Sequence, residues 1–365
     1  MSKAAELANL IGNINAGGGG VNRNVIINGA MNVAQRSTSE TGLGASSGYF
    51  TVDRFKMVCN NTAGRFTMTQ DSSAPDGFAN SLKLACTTAD TSIAANEEFG
   101  ILYRMEGQDL QHFKKGTSSA YPTTLSFYVK GNASATYVAE LMDSDNSSRH
   151  IGATFNVTTD WTRVEITFPG DTTGTLDDDA NASLDLQFFL HAGSNNTSGT
   201  LQTSWGALAQ TNRAVGISSF FDSTDRTFFI TGVQLEVGQN PTEFEREPFD
   251  VTRRKCFRYF EKVEVTAGSY AHIGYAYTST FTRSKQTYEK KRANPTFSFD
   301  NQGDVIMYYN GNSSDADPSW NYHDAGPNSC RVSATLTGVS TTQGYAVAAY
   351  VNGSVTYNIK IDAEL

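Results

Sequence analysis

Between Asn24 and Pro248 apolar side chains recur at every second position in run after run: Leu125, Phe127 and Val129; Ile151, Ala153, Phe155 and Val157; Val164, Ile166 and Phe168; Leu184, Leu186, Phe188 and Leu190. Period two marks a strand with one buried face, because successive side chains point to opposite sides of the pleat. Further strands are predicted from Phe66 to Gln70, Leu82 to Cys86, Tyr137 to Met142 and Phe228 to Val237. In the last of these Val233, Leu235 and Val237 point one way and Gly232, Gln234 and Glu236 the other, until Gly238 and Pro241 end the run. That number of strands suits two antiparallel sheets packed face to face, a jelly-roll sandwich, without parallel sheet or crossover helix.

The two ends are patterned differently. Leu7, Leu10, Ile11 and Ile14 fall at helical spacing among helix-favouring alanines. So short a helix is marginal alone in water. It must dock, on its own domain or as an attachment point or trimer seam. Gly17 to Gly20 then read as a flexible joint. At the other end, SFDNQGDV (Ser298 to Val305) and YVNGSV (Tyr350 to Val355) read as hairpins, Asn352 and Gly353 supplying a tight turn. Val355, Tyr357, Ile359 and Ile361 continue the alternation. The expected division is an anchoring helix and linker at 1–23, a sandwich domain at 24–248 and a smaller β domain at 249–365. No repeat of 20 to 50 residues is found, which argues against a solenoid.

Composition narrows the partners. Only 18% of the 365 residues are charged, with 16 Tyr and 22 Phe, as suits half-buried pleated sheets. The net charge of −9 is uneven: residues 252–365 carry 12 basic and 10 acidic groups, leaving 16 basic and 27 acidic before them. An acidic first domain disfavours gripping nucleic acid. The basic run RRKCFRYFEK is read as a solvated inter-domain face. Cys59, Cys86, Cys256 and Cys330 show no metal-ligand spacing and are expected as buried free thiols. No signal peptide is read and no apolar stretch approaches ~18 residues, so neither that export route nor membrane insertion is expected.

No catalytic motif stands out. His112, His150, His191, His272 and His323 lack paired metal spacing, and neither a Gly-x-Ser-x-Gly elbow nor a phosphate loop is present. Asp177 to Asp179, and Asp143 with Asp145 and Asn146, are read as turns, with a structural calcium ion as the second reading and no other cofactor expected. Sugars present an apolar face and a polar rim, so aromatic rings beside amides and carboxylates suit them. WNYHDAGPNS, taken as a loop, offers that mixture in Trp320, Tyr322 and His323, together with Tyr308 and Tyr309. Phe189, His191 and Trp205 are secondary candidates, with inter-subunit packing as their other reading.

Three segments in order, NRNVIINGAMNVAQRS with GYFTVDRFKM, EGQDLQHFKKGTSSA, and TGVQLEVG followed by Pro-Thr-x-Phe-Glu and Cys-x-Arg-Tyr-Phe, together resemble the jelly-roll domain common in tail-fibre proteins of bacterial viruses. They span roughly residues 22 to 260. The resemblance implies a carbohydrate-binding-module-like jelly roll carried on the virion tail, usually as a homotrimer. With the apolar helix and glycine joint read as the attachment to other tail proteins and the aromatic segment of the last domain as the glycan contact, the expected function is non-catalytic adhesion to host-surface polysaccharide. Two other readings stay open: a capsid decoration or tail adaptor that touches no host, and a polysaccharide depolymerase.

Overall fold

The alternating rows of residues 24–248 fold as antiparallel strands whose apolar sides face one another across a sandwich. The computed structural model describes residues 2–15, 22–300, 305–309, 312–314, 319–336, 340–352 and 356–365. Two compact units emerge, residues 1–253 with Leu365, and residues 254–364. Three helices accompany the strands: α1 (Lys3–Asn15), α2 (Ser194–Thr197) and α3 (Phe249–Phe257). Among the described residues no helix is long and apolar enough to cross a membrane.

In chain order the first unit contains β1 (Ser39–Leu43), β2 (Lys56–Asn60), β3 (Arg65–Asp71), β4 (Ser81–Thr88), β5 (Glu98–Glu106), β6 (Thr123–Gly131), β7 (Ala135–Asp143), β8 (Arg149–Val157), β9 (Thr162–Phe168), β10 (Ala182–Ala192) and β11 (Thr227–Val237). They form a six-stranded sheet, β1-β3-β4-β11-β6-β9, and a five-stranded sheet, β2-β5-β10-β7-β8. Because β11 lies between β4 and β6, and β10 between β5 and β7, the chain crosses repeatedly from sheet to sheet, the jelly-roll arrangement. Phe127 packs edge-on against Phe155 and Phe188, each at 5.1 Å, and Phe99 lies 4.8 Å from Phe66 and 4.6 Å from Phe221. Each such ring, fully buried, stabilises the sandwich by roughly 1.5–3 kcal/mol.

The second unit contains β12 (Phe260–Val265), β13 (Tyr270–Ala276), β14 (Phe281–Thr287), β15 (Thr296–Asp300), β16 (Val305–Tyr309), β17 (Asn312–Ser314), β18 (Ser319–His323), β19 (Ser329–Thr335), β20 (Ala346–Val351) and β21 (Tyr357–Asp362). A three-stranded sheet, β12-β21-β15, and a seven-stranded sheet, β17-β16-β20-β13-β14-β19-β18, share one core. The strands that flank the two expected hairpin turns do not pair with each other, and the turns at 301–304 and 353–355 lie outside the described residues. β15 pairs with β21 whereas β16 pairs with β17 and β20, and β20 and β21 belong to different sheets. The cause is packing: Val347, Ala349 and Val351 on one sheet and Tyr357, Ile359 and Ile361 on the other bury their apolar rows in the same core, so the chain must change sheets.

In α1, Leu7 and Ile11 are exposed; the side chains of Leu10 and Ile14, and the glycine run at 17–20, lie outside the described residues. All four cysteines are free and buried, as expected.

Candidate functional site

The residues that carry the family resemblance build a latch. β4 pairs with β11 only as far as Ile230, and beyond it the segment around Val25 takes over, Val25 N donating to Leu235 O (3.1 Å) and Val233 N to Gly29 O (3.0 Å). Asn24 secures this join: its Oδ1 accepts from Leu235 N (3.1 Å) and its Nδ2 donates to Val233 O (3.2 Å). The Pro-Thr-x-Phe-Glu segment closes over the same strand. Glu236 accepts from Thr242 N (2.8 Å), Glu245 N donates to Gln234 Oε1 (2.7 Å), and the Glu245 carboxylate accepts from Asn22 N (2.6 Å) and Asn24 N (2.9 Å). Thus Gln234 and Glu236, alternating polar residues that read as a solvent face, are buried beneath the domain's two ends. These motifs stabilise the scaffold.

The oxygen-rich turns are also accounted for. Lys115 places its ammonium against the Asp143 carboxylate and 3.2 Å from Asp171, and donates to Thr173 O (3.0 Å) and Gly174 O (2.9 Å). Two carboxylates and two carbonyls are the donors a calcium ion would take, and a lysine fills the place. Arg149 bonds Asp171 from the other side at 2.9 and 3.0 Å. Burial works to raise the Asp171 pKa, but Arg149, Thr173 and Lys115 outweigh it and hold the carboxyl below its usual range. Asp177 and Asp178 are exposed, and Asp179 binds Asn181. Asp90, Glu97 and His191 are buried with their polar atoms within 4.8 Å of one another. Both His191 ring nitrogens are engaged, by Glu97 (3.0 Å) and Ser219 (2.8 Å), while Asp90 accepts from Thr62 (2.9 Å) and Ala63 N (2.7 Å).

The outer face of the five-stranded sheet carries the secondary candidates, and the chain's own segment 193–220 covers them. Arg213 binds Glu140 on β7 through Nε (3.1 Å) and Nη2 (2.5 Å), reaches Gln187 Oε1 (3.2 Å), and lies 4.9 Å from the Phe189 ring. Ala209 N donates to His150 Nε2 (3.3 Å), and Trp205 Nε1 to Pro169 O (2.8 Å). Phe189 and His191 are wholly buried, so neither an open site nor inter-subunit packing describes them. Beside the cover Asp185 pairs with Arg104 at 3.5 Å but keeps one oxygen, Oδ1, without a hydrogen bond. Burial pushes its pKa up to about 6.

The open aromatic surface lies in the second unit, on the outer face of the seven-stranded sheet. Tyr270 on β13, Tyr350 on β20 and Tyr308 on β16 stand in adjacent strands, with ring centroids 5.4 Å apart from Tyr270 to Tyr350 and 5.5 Å from Tyr308 to Tyr350. A register shift between Tyr270 and His272 keeps Tyr270, Ile273 and Tyr275 on this one face. Ile273 is 71% exposed and Tyr270 56%, unusual for large apolar side chains on a regular sheet. Ala346 and Ala348 sit between them on β20, opposite Tyr275 and Ile273, and leave the rings standing above a low floor. Tyr277 and Tyr345 add exposed rings nearby, and Arg283, opposite Tyr275 on β14, lays its guanidinium carbon 3.4 Å from the Tyr277 ring centre.

Of the candidates whose side chains are described, Tyr308 stands exposed here, at 38%. Tyr309 faces the opposite way and is buried. Tyr322 is a core residue, stacked at 4.6 Å on both Phe297 and Phe299, with its hydroxyl 3.2 Å from His272 Nε2; burial drives the Tyr322 pKa far up and the His272 pKa down to about 4. His323 bonds Ser333 Oγ at 3.0 Å. Trp320 lies in β18, opposite Ala334, and its side chain is outside the described residues. The expected loop at 320–323 is therefore a strand. Tyr270, Ile273, Tyr275 and Tyr350 were missed, although SYAHIGYAY carries apolar residues in both alternating rows, the sign of a strand with no fully polar side.

No protein-family model matches the sequence. No curated protein matches it. Solved structures similar to the chain include a CBM4 module (12% identity over 57% of this chain and 97% of that one, TM-score 0.30) and the family 11 carbohydrate-binding module of a cellulosomal cellulase of Clostridium thermocellum (15%, 55% and 95%, TM-score 0.28). The enzymatically active domain of tailspike protein 4 of bacteriophage CBA120 is similar at 11% identity over 59% of this chain and 21% of that one, TM-score 0.30. Likeness this distant carries no ligand or residue role across to this chain.

Proposed function

We propose that this chain is a tail-fibre protein of a bacterial virus that adheres, without cleaving, to host-surface polysaccharide through the tyrosine face of its second unit. The observation that carries this reading is the row of rings formed by exposed Tyr270, half-buried Tyr350 and exposed Tyr308, continued by exposed Ile273 and Tyr275 on the same sheet face. Rigid aromatic rings above small residues stack on the apolar faces of sugars, and their hydroxyls reach the polar rim. Residues 270 to 275 rise about 3.4 Å apiece, so the face suits several linked sugars rather than one. Assignment to a virus tail rests on the latch segments, whose sequences resemble that family. Leu7 and Ile11, exposed on α1, offer an apolar hold on another tail protein or on neighbouring copies. In a homotrimer three such faces act together, and linked weak sites raise avidity by ~100-fold or more.

Gold-labelled antibody against the full chain, applied to intact particles, tests the assignment. Label at the distal end of the tail is expected. Label at the neck or over the shell would replace adhesion with a covering role.

A further inference from the structure

We infer that the polysaccharide is acidic, and that a sugar carboxylate seats between Arg283 and Arg331 beside the tyrosine face; the inference rests on the adhesion reading above. The seven-stranded sheet gathers positive charge where pairing rules discourage it. Lys285 on β14 stands directly opposite Arg331 on β19, and Arg283 lies two residues from Lys285 on the same face of β14. Like charges placed directly opposite across a sheet repel, so such a row needs an anion to be favourable. Asp324 answers only in part: it lies 3.1 Å from Arg331, but its side chain is 72% exposed, where ion pairs contribute little.

Hydrogen bonding points the same way. Among the described residues neither Arg283 Nε nor Arg331 Nε has a hydrogen-bond partner. The Arg331 side chain keeps 35% of its surface exposed, and a carboxylate matches the planar guanidinium fork there. Both arginines line an open depression of about 540 Å3, together with Lys285, Asp324, Tyr275 and Ile273. Since Tyr275 is the cross-strand partner of Arg283, a sugar ring on the tyrosine brings its substituents to the guanidinium. A neutral glycan would use the rings and leave the basic row unanswered. In a chain of net charge −9, a local excess of cations on the aromatic face selects its ligand by charge.

Titrating the 15N-labelled full chain with glucuronate, glucose and inorganic sulfate, and following arginine Nε–Hε resonances, tests this. Glucuronate is expected to shift the Arg283 and Arg331 signals saturably, while glucose leaves them in place. Arg331→Gln should raise the glucuronate Kd at least about tenfold, and the exposed Lys285→Gln, which spares the fold, should act in the same direction. Equal shifts with glucose, a sulfate response as tight as that to glucuronate, or no response in either arginine would overturn the inference. The adhesion reading fails separately, if Tyr350→Ala leaves polysaccharide binding unchanged.

Discussion

The ring of Tyr350 stands 5.4 Å from that of Tyr270 across the β20–β13 pair, half-buried where Tyr270 is exposed. An aromatic pair left in water serves contact better than it serves stability. Tyr350→Ala should weaken polysaccharide binding roughly tenfold, as loss of an aromatic anchor does. Because the ring is only partly buried, thermal unfolding should change little; biolayer interferometry beside a melting curve checks both.

Lys115 is the cation of a buried oxygen-rich site, 5% exposed at its side chain against Asp143 and Asp171. Lys115→Met would leave two carboxylates facing one another with Arg149, bonded to Asp171, as the remaining cation. Breaking a buried pair in this way costs about 3–5 kcal/mol. Urea denaturation should show that loss. A variant as stable as wild type would mean the site tolerates bare carboxylates or takes up a cation from solution.

Asp185 makes stability depend on pH in the sense opposite to most paired carboxylates. Burial lifts its folded pKa to about 6, against the opposing pull of Arg104 and Arg213, whereas in the unfolded chain the group titrates near its ordinary 3.8. Between those values the folded state holds the proton that the unfolded state has released. Stability from this group is therefore present below pH ~4 and is lost as pH rises to about 6, by about 3 kcal/mol in all. Hydrogen exchange of β10 amides in wild type and Asp185→Asn, compared across that range, should show the difference between them growing as pH falls and the variant gaining relative stability above pH 6. A difference independent of pH would refute the shift.

The four thiols should be inert until the chain opens. Burial pushes Cys59 and Cys330 up to about 12 and Cys86 to about 11, far from the thiolate form that reacts at neutral pH. Iodoacetamide at pH 8 should label all four in urea and almost none in buffer, as read by intact mass. Rapid native labelling would show that a buried strand opens readily.

Much of the sandwich is legible in the sequence because its strands are buried on one side and alternate: β6, β8, β9 and β10 turn their alternating apolar rows toward the core. β5 escaped because FGILYRM is apolar on both sides, a central strand with no polar row to betray its period. The polar row of β11 misled differently, since Gln234 and Glu236 look solvated until Thr242 and Glu245, in the segment just after the strand, fold back over them. The two missed hairpins come from non-local packing overruling a good turn sequence. The aromatic site followed this rule too. Tyr322 stacks on Phe297 and Phe299 and became core, while Tyr270 and Tyr275, unremarkable by composition, were left outside by a register shift.

The account turns on the tyrosine face, and one experiment bears on it most directly: polysaccharide from a susceptible host, titrated into wild type and a Tyr270→Ala, Tyr308→Ala, Tyr350→Ala triple variant, with glycan chain length measured before and after. Saturable binding by wild type, unaltered chain length, and loss of binding in a variant that still folds are the predicted results. Equal binding by the two proteins, or shortened chains, would contradict it.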